Sequence, residues 1–280
     1  MDLSIRFWGV RGSIASPGAD TVKTGGNTPC VEIRAGEHTL ILDAGTGLRP
    51  LGERMLERGD KEATLLLSHL HWAHIQGLPF FLPAWIPGHR LTFAGLTGVE
   101  GALDRQMKPP SFPVSLEDMK AELNFRDVAP GGTLEVGPMT VRAAALNHPG
   151  GVLGFRVELG GRSVVYATDT EHYSCPDPHL VALAKDADVL IYDAMYTEAE
   201  YAGEVGPTKV GWGHSTWNAG VAVANAANAE RLVLFHHDPQ RTDEGVERIE
   251  RDAALARPGT VAAREGDEIR LRLTPGRAAA

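Results

Sequence analysis

Short apolar runs of strand length recur along the chain, separated by glycine, proline and charged residues, and a few longer stretches carry helical spacing instead. Leu3, Ile5 and Phe7 alternate with Ser4, Arg6 and Trp8, the period of a half-buried strand. Val31–Arg34 and His38–Asp43 flank the turn Gly36-Glu37 and predict a hairpin. Gly45-Thr46-Gly47 closes that segment, and Leu48–Arg58 has apolar positions spaced for a helix. Leu65-Leu66-Leu67 reads as the end of a buried strand, Gly77–Ile86 as an apolar stretch broken by prolines, and Arg90–Gly95 as another strand. Leu116–Leu123 has helical spacing, with Ser115 as its N-cap.

The second half repeats the alternation. Thr140–Leu146, Val152–Leu159 and Ser163–Ala167 predict strands, the last two joined at Gly160-Gly161. Val181–Ala187 predicts a helix and Val189–Tyr192 a strand. An alanine-rich helix over Thr216–Asn228 leads to the strand Arg231–Phe235, then a helix over Glu244–Leu255 and a last strand near Glu268–Leu273. Two β-rich halves with flanking helices predict two sheets packed together and covered on both outer faces. We expect one α/β domain over residues 1–280, with Gly276–Ala280 as a frayed tail.

Composition narrows the function more than the fold. A formal net charge of -9 argues against a dedicated nucleic-acid binder, which would carry a basic face. An anionic small substrate remains compatible, because bound metal ions would dominate the local field. Cys30 and Cys175 are the only cysteines and form no disulfide framework. No secretory leader precedes the first strand, and no apolar run reaches the length of a membrane span. These features predict a cytoplasmic protein with no membrane partner.

The candidate chemistry gathers at strand ends. After Leu65-Leu66-Leu67-Ser68 come His69, His71 and His74, three imidazoles in six positions that can converge just beyond a buried strand. His148, Asp169, the pair His236-His237 and Asp43 each follow a strand-like run. Taken singly, each has an ordinary structural explanation, such as a surface histidine or an aspartate in a turn. His38, His89, His172 and His179 have no partners by pattern and read as surface residues.

Taken together, His69-x-His71, His74, His148, Asp169 and His236 resemble the metallo-β-lactamase superfamily in order and spacing, with one departure: Ala73 stands where the HxHxDH signature has aspartate. The resemblance implies a four-layer αββα sandwich and two divalent metal ions, zinc or manganese. By that likeness His69, His71 and His148 hold the first ion, His74 and His236 the second, and Asp169 bridges them. His237 competes with His236 for the last role; His236 is preferred because it directly follows the strand-ending Phe235. Asp43 is expected to orient a ligating imidazole, and Asp193 to act similarly.

Phe7-Trp8-Gly9-Val10-Arg11-Gly12-Ser13, Gly25-Gly26-Asn27-Thr28, Gly211-Trp212-Gly213-His214-Ser215-Thr216 and Phe235-His236-His237-Asp238-Pro239 are similar to the phosphodiesterase branch, which includes RNase Z and cyclic-nucleotide phosphodiesterases. This likeness implies hydrolysis of a phosphodiester, first among them a cyclic nucleotide, in a homodimer. It gives His214 the role of protonating the leaving oxygen. Phe112, in a proline-rich loop, is a candidate for stacking on a base, with core packing or a dimer contact as its alternatives.

Alanine offers a metal no lone pair. On this template the second ion keeps three protein ligands, and a less firmly aimed water would cost roughly a hundredfold or more in rate. Two readings compete: an engineered inactivation of a working enzyme, and a pseudoenzyme that binds its ligand without cleaving it. Decay tends to remove more than one group, and every other ligand is present, so the first is preferred. RNase Z-like RNA processing is the further alternative, disfavoured by the acidic chain.

Overall fold

The computed structural model describes residues 2–273, so the expected tail at Gly276–Ala280 lies outside the described residues. In chain order the strands of the first half are β1 (Asp2–Gly9), β2 (Cys30–Ala35), β3 (His38–Leu42), β4 (Glu62–Leu66), β5 (Arg90–Gly95) and β6 (Glu122–Asp127). Those of the second half are β7 (Thr133–Val136), β8 (Met139–Leu146), β9 (Val152–Leu159), β10 (Arg162–Ala167), β11 (Val189–Asp193), β12 (Arg231–Phe235), β13 (Val261–Ala262) and β14 (Glu268–Arg272). They form two seven-stranded sheets among the described residues, ordered β14-β1-β2-β3-β4-β5-β6 and β13-β12-β11-β10-β9-β8-β7. The final strand β14 therefore returns to pair with β1 in the first sheet.

Alternation along the strands explains the layering. Leu40 and Leu42 of β3 face the gap between the sheets, where Phe7 and Ile33 of the same sheet meet Phe155, Tyr166, Ile191 and Phe235 of the other in the central core. Ile41, between them, faces outward and packs with Leu48, Leu51 and Met55 of α1 (Leu48–Arg58) and Leu103 of α2 (Val99–Gln106). Such a strand is apolar without a break because both of its faces are covered. On the second sheet, Val165, Leu190 and Leu232 face out against α3 (Pro178–Ala184), α5 (Trp217–Ala226) and α6 (Asp243–Ala256). A short helix α4 (Glu198–Ala202) precedes α5. Burying each large apolar side chain stabilises the fold by about 1.5–3 kcal/mol before chain entropy is counted. The layers are helix, sheet, sheet, helix.

Strand direction places the site. β3, β4 and β5 run parallel. In the second sheet β10, β11 and β12 run parallel, and β8 points the same way through antiparallel β9. The loops after β3, β4, β8, β10, β11 and β12 can therefore meet at one edge, where the C-terminal ends of strands present unpaired backbone and side chains.

Three expectations need correction. The helix expected over Leu116–Leu123 is a single 3₁₀ turn, Leu116–Asp118, followed by the edge strand β6. Ser115 does cap that turn, exchanging hydrogen bonds with Asp118, but pairing of β6 with β5 outweighs helical spacing for the rest. The helix expected over Val181–Ala187 is α3, which begins earlier because Asp177 caps it and Pro178 fits its first turn. His89 is buried, with Nδ1 3.2 Å from the Ile86 carbonyl, and His172 is half-buried; only His38 and His179 are exposed as expected.

Candidate metal and catalytic site

Six strand-end loops bring the histidines and aspartates together. Asp43 follows β3, Ser68–His74 follows β4, His148 follows β8, Asp169 follows β10, Asp193 ends β11 and His236 follows β12. Asp43, Asp169 and His236 all adopt left-handed backbone conformations, with φ of 62°, 51° and 59°. Non-glycine residues rarely accept this geometry, and it tends to collect at functional sites. Each conformation turns the chain sharply as it leaves the sheet. Gly12 permits the close approach on the other side, since a β-carbon there would run into Met195 and the His236 ring.

Asp169 lies at the centre. Its Oδ1 is 3.8 Å from both His69 Nε2 and His148 Nε2, and His148 Nε2 is 3.1 Å from His71 Nδ1. Its Oδ2 is 3.2 Å from His74 Nε2 and 3.2 Å from His236 Nε2. His69, His71 and His148 form one group whose donor atoms lie within 4.8 Å of one another, and the other side of the carboxylate gathers further buried donors. The Nε2 atoms of His69 and His236 are buried and have no hydrogen-bond partner. Leaving such groups unpaired is costly unless something else satisfies them. Divalent cations fit both sets: imidazole nitrogens converge beside one carboxylate that faces each set with one oxygen.

Electrostatics agree with that donor set. Burial drives His69 and His236 well below the ordinary histidine range, and burial with His148 lowers His71, so these rings are neutral and able to ligate. Asp169 is held well below the usual carboxylate range: burial pushes it up, but His236, His74 and His69 outweigh that. His74 is the exception. Burial opposes its charge, yet Asp169 and Asp43 raise it to about 10. Without a cation, a proton on His74 supplies the positive charge between two carboxylates.

Supporting contacts set the rings. Asp43 Oδ2 lies 2.7 Å from His74 Nδ1 and accepts from the Tyr166 hydroxyl at 2.7 Å and the Ser68 hydroxyl at 2.9 Å. Asp43 Oδ1 accepts from the Ser68 backbone N–H at 2.7 Å. Asp193 does not reach a ring of the first group. Instead its Oδ2 lies 2.9 Å from His214 Nδ1, and 3.7 Å from His236 Nδ1. Burial works against a charged His214, but Asp193 outweighs it and raises the pKa, so the ring is protonated more readily than a free histidine. His148 Nδ1 donates to the Gly213 carbonyl at 2.7 Å; a side chain at Gly213 would collide with that ring.

Ala73 is buried in the 3₁₀ turn Trp72–His74. His237 points away from the carboxylate and hydrogen-bonds the Ala263 carbonyl through Nε2 at 3.0 Å; burial lowers it to about 3, so it is a neutral structural donor. Phe112 packs edge-on against Phe80, ring centroids 6.0 Å apart, beside the α1–α2 core.

Three supports have roles that the pattern of residues does not disclose. Glu171 accepts from Tyr201 Oη, Gly211 N and Gly213 N at 2.6, 2.6 and 2.9 Å and so braces the loop before His214. Tyr166 sits inside an ordinary-looking strand. Arg11, fully buried, donates to the carbonyls of Gly25, Asp238 and Arg241 at 2.8, 3.2 and 2.6 Å, tying the N-terminal loop to the segment after His236. The Arg11 motif was visible as a string; its purpose was not.

Two stacked sheets with a histidine–aspartate cluster at one edge define a metal-dependent hydrolase of the metallo-β-lactamase fold. Residues 38–237 match the beta-lactamase superfamily domain, and the chain belongs to that family. It is similar to a ribonuclease Z of Mycobacterium sp. (strain KMS), 29% identical over 245 residues, covering 80% of this chain and 81% of the relative. Among solved structures, the metallo-beta-lactamase fold protein YhfI from Bacillus subtilis superposes with a TM-score of 0.74 at 19% identity, over 96% of this chain and 99% of that one. A diphosphatase from the PhnP family superposes with a TM-score of 0.72 at 19% identity, over 97% and 98%. At these identities the structures speak for the fold.

Proposed function

We propose that the protein is a dinuclear metal-dependent phosphodiesterase whose substrate is a cyclic nucleotide. The observation that carries this reading is the His214–Asp193 pair, 2.9 Å apart, set beside a carboxylate that faces two groups of imidazoles. In this reading His69, His71 and His148 would hold one ion and His74 and His236 the other, with Asp169 a donor available to both. Divalent ions bound there would polarise phosphoryl oxygens and lower the pKa of a water towards neutrality. His214, its Nδ1 engaged by Asp193, is left with Nε2 to give a proton to the departing ribose oxygen. Ala73 leaves the second group one donor short, which makes this form a weakened enzyme. Zinc and manganese both suit the mixed nitrogen–oxygen donor set. A cytoplasmic homodimer is part of the same proposal, by resemblance.

Pre-tRNA or another RNA is the second reading, favoured by the ribonuclease Z relative that spans 80% of the chain. The net charge of -9 weighs against it, because phosphate backbones are held chiefly by lysine and arginine. The deciding experiment restores the carboxylate with Ala73→Asp and assays the protein with zinc and with manganese. Turnover of 3′,5′-cyclic nucleotides supports the proposal; cleavage of pre-tRNA alone replaces it with RNA processing. Binding of cyclic nucleotides with no turnover in the restored protein identifies a pseudoenzyme.

A further inference from the structure

We propose that Trp212, backed by Lys209, is the subsite that takes the nucleobase of the substrate; this rests on the nucleotide reading above and adds the residue that recognises the base. Of the five tryptophans, Trp8 and Trp85 donate their indole N–H to Glu32 and the Pro79 carbonyl, and Trp217 packs into the outer core. Trp72 and Trp212 remain open, 61% and 53% exposed. Only Trp212 is prepared for a partner. Lys209 Nζ sits 4.1 Å from its ring centroid, covering one face, and the Trp212 backbone N–H donates to the Lys209 carbonyl at 3.0 Å.

The loop that carries this pair is fixed rather than free. Glu171 holds the backbone on either side of Trp212, at Gly211 and Gly213, and the Gly213 carbonyl accepts from His148. Lys209 Nζ also lies 5.7 Å from the Tyr196 ring, which meets His214 edge-on at 6.1 Å. A continuous series, His214, Tyr196, Lys209, Trp212, thus runs outward from the group assigned to the leaving oxygen. In a cyclic nucleotide that oxygen belongs to the ribose, so the base lies on the same side of the phosphate. An indole held in one plane by a cation presents its other face for stacking at little ordering cost. Phe112, the candidate from the sequence, spends its ring on Phe80.

The test is equilibrium binding by calorimetry to the metal-loaded protein. Ligands are 3′,5′-cyclic AMP, the same cyclic sugar phosphate with methoxy in place of the base, and a short single-stranded RNA. Trp212→Ala should weaken cyclic AMP about five- to hundredfold, the range of base–aromatic stacking. It should leave the base-free ligand unchanged, and Trp212→Phe should retain most of the affinity. Equal weakening of both small ligands, or of neither, overturns the subsite while leaving the phosphodiester reading intact. So does an effect confined to the RNA. If the unaltered protein binds neither small ligand, the cyclic-nucleotide reading itself fails.

Discussion

His69 and His148 face one oxygen of Asp169, with His71 alongside at the open edge of the site, whereas His74 and His236 face the other oxygen in near-complete burial. The first group has three imidazoles, and two are set by their other nitrogens: His69 Nδ1 lies 3.1 Å from the Ser68 hydroxyl, and His148 Nδ1 meets the Gly213 carbonyl. The second group has two imidazoles and Ala73. His74 is held by Asp43, but the outer nitrogen of His236, Nδ1, makes no hydrogen bond, with Asp193 Oδ2 3.7 Å away. One carboxylate therefore serves two unequal halves. Orientation, count and exposure all favour the first, so a chain with one ion should carry it there.

The substitution Ala73→Asp bears on this asymmetry most strongly. Phosphodiesterase kcat/KM should rise roughly a hundredfold or more, and elemental analysis after desalting should move from near one tightly held ion per chain towards two. A restored protein that retains no additional metal would remove the asymmetry as an explanation. Next in size is Arg11→Met. It removes the donor to the Gly25, Asp238 and Arg241 carbonyls, leaving those of Gly25 and Arg241 without their side-chain partner, and should cost about 3 kcal/mol of stability, read as a fall in Tm. Loss of metal from the second group before the first would tie that cost to the weaker half.

Asp193→Asn, made together with Ala73→Asp and compared with Ala73→Asp alone, should lower kcat about tenfold while leaving metal content unchanged. It should also move the pH profile in a defined direction. Asp193 raises the His214 pKa, and a general acid works only while protonated, so activity falls as pH rises through that pKa. Removing the carboxylate charge lowers the pKa, and the alkaline limb should shift to lower pH; a profile that stays in place would separate His214 from proton donation. The smallest effect is expected of Tyr166→Phe. One hydrogen bond to Asp43 is lost, worth about 1 kcal/mol, and second-group metal affinity should fall several-fold while the first group keeps its ion.

The strands that carry the site were legible because each is covered on both faces and reads as an unbroken apolar run ending in a polar residue, as Leu40–Leu42 before Asp43 and Leu232–Phe235 before His236 show. Edge elements were harder. The strand Glu122–Asp127 exposes much of its surface, so its residues carry little periodicity, and its pairing partner lies some thirty positions earlier. His89 was misjudged because its partner is a backbone carbonyl, which leaves no mark in a side-chain pattern. The choice between His236 and His237 was likewise a matter of direction: the left-handed turn at 236 sends one ring to Asp169 and the other to Ala263.

Chain order alone determined the strand-and-helix alternation, the cluster His69-x-His71 with His74, the histidine and aspartate types at later strand ends, and the alanine at position 73 between His71 and His74. These are local properties, written in the spacing of side chains along one segment. Which oxygen of Asp169 each ring meets, that Asp193 serves His214, that Arg11 braces the loop after His236 and that Lys209 lies over Trp212 came only from the tertiary structure. Each depends on distances across the gap between two sheets, set by how their apolar faces pack and by where parallel strands end.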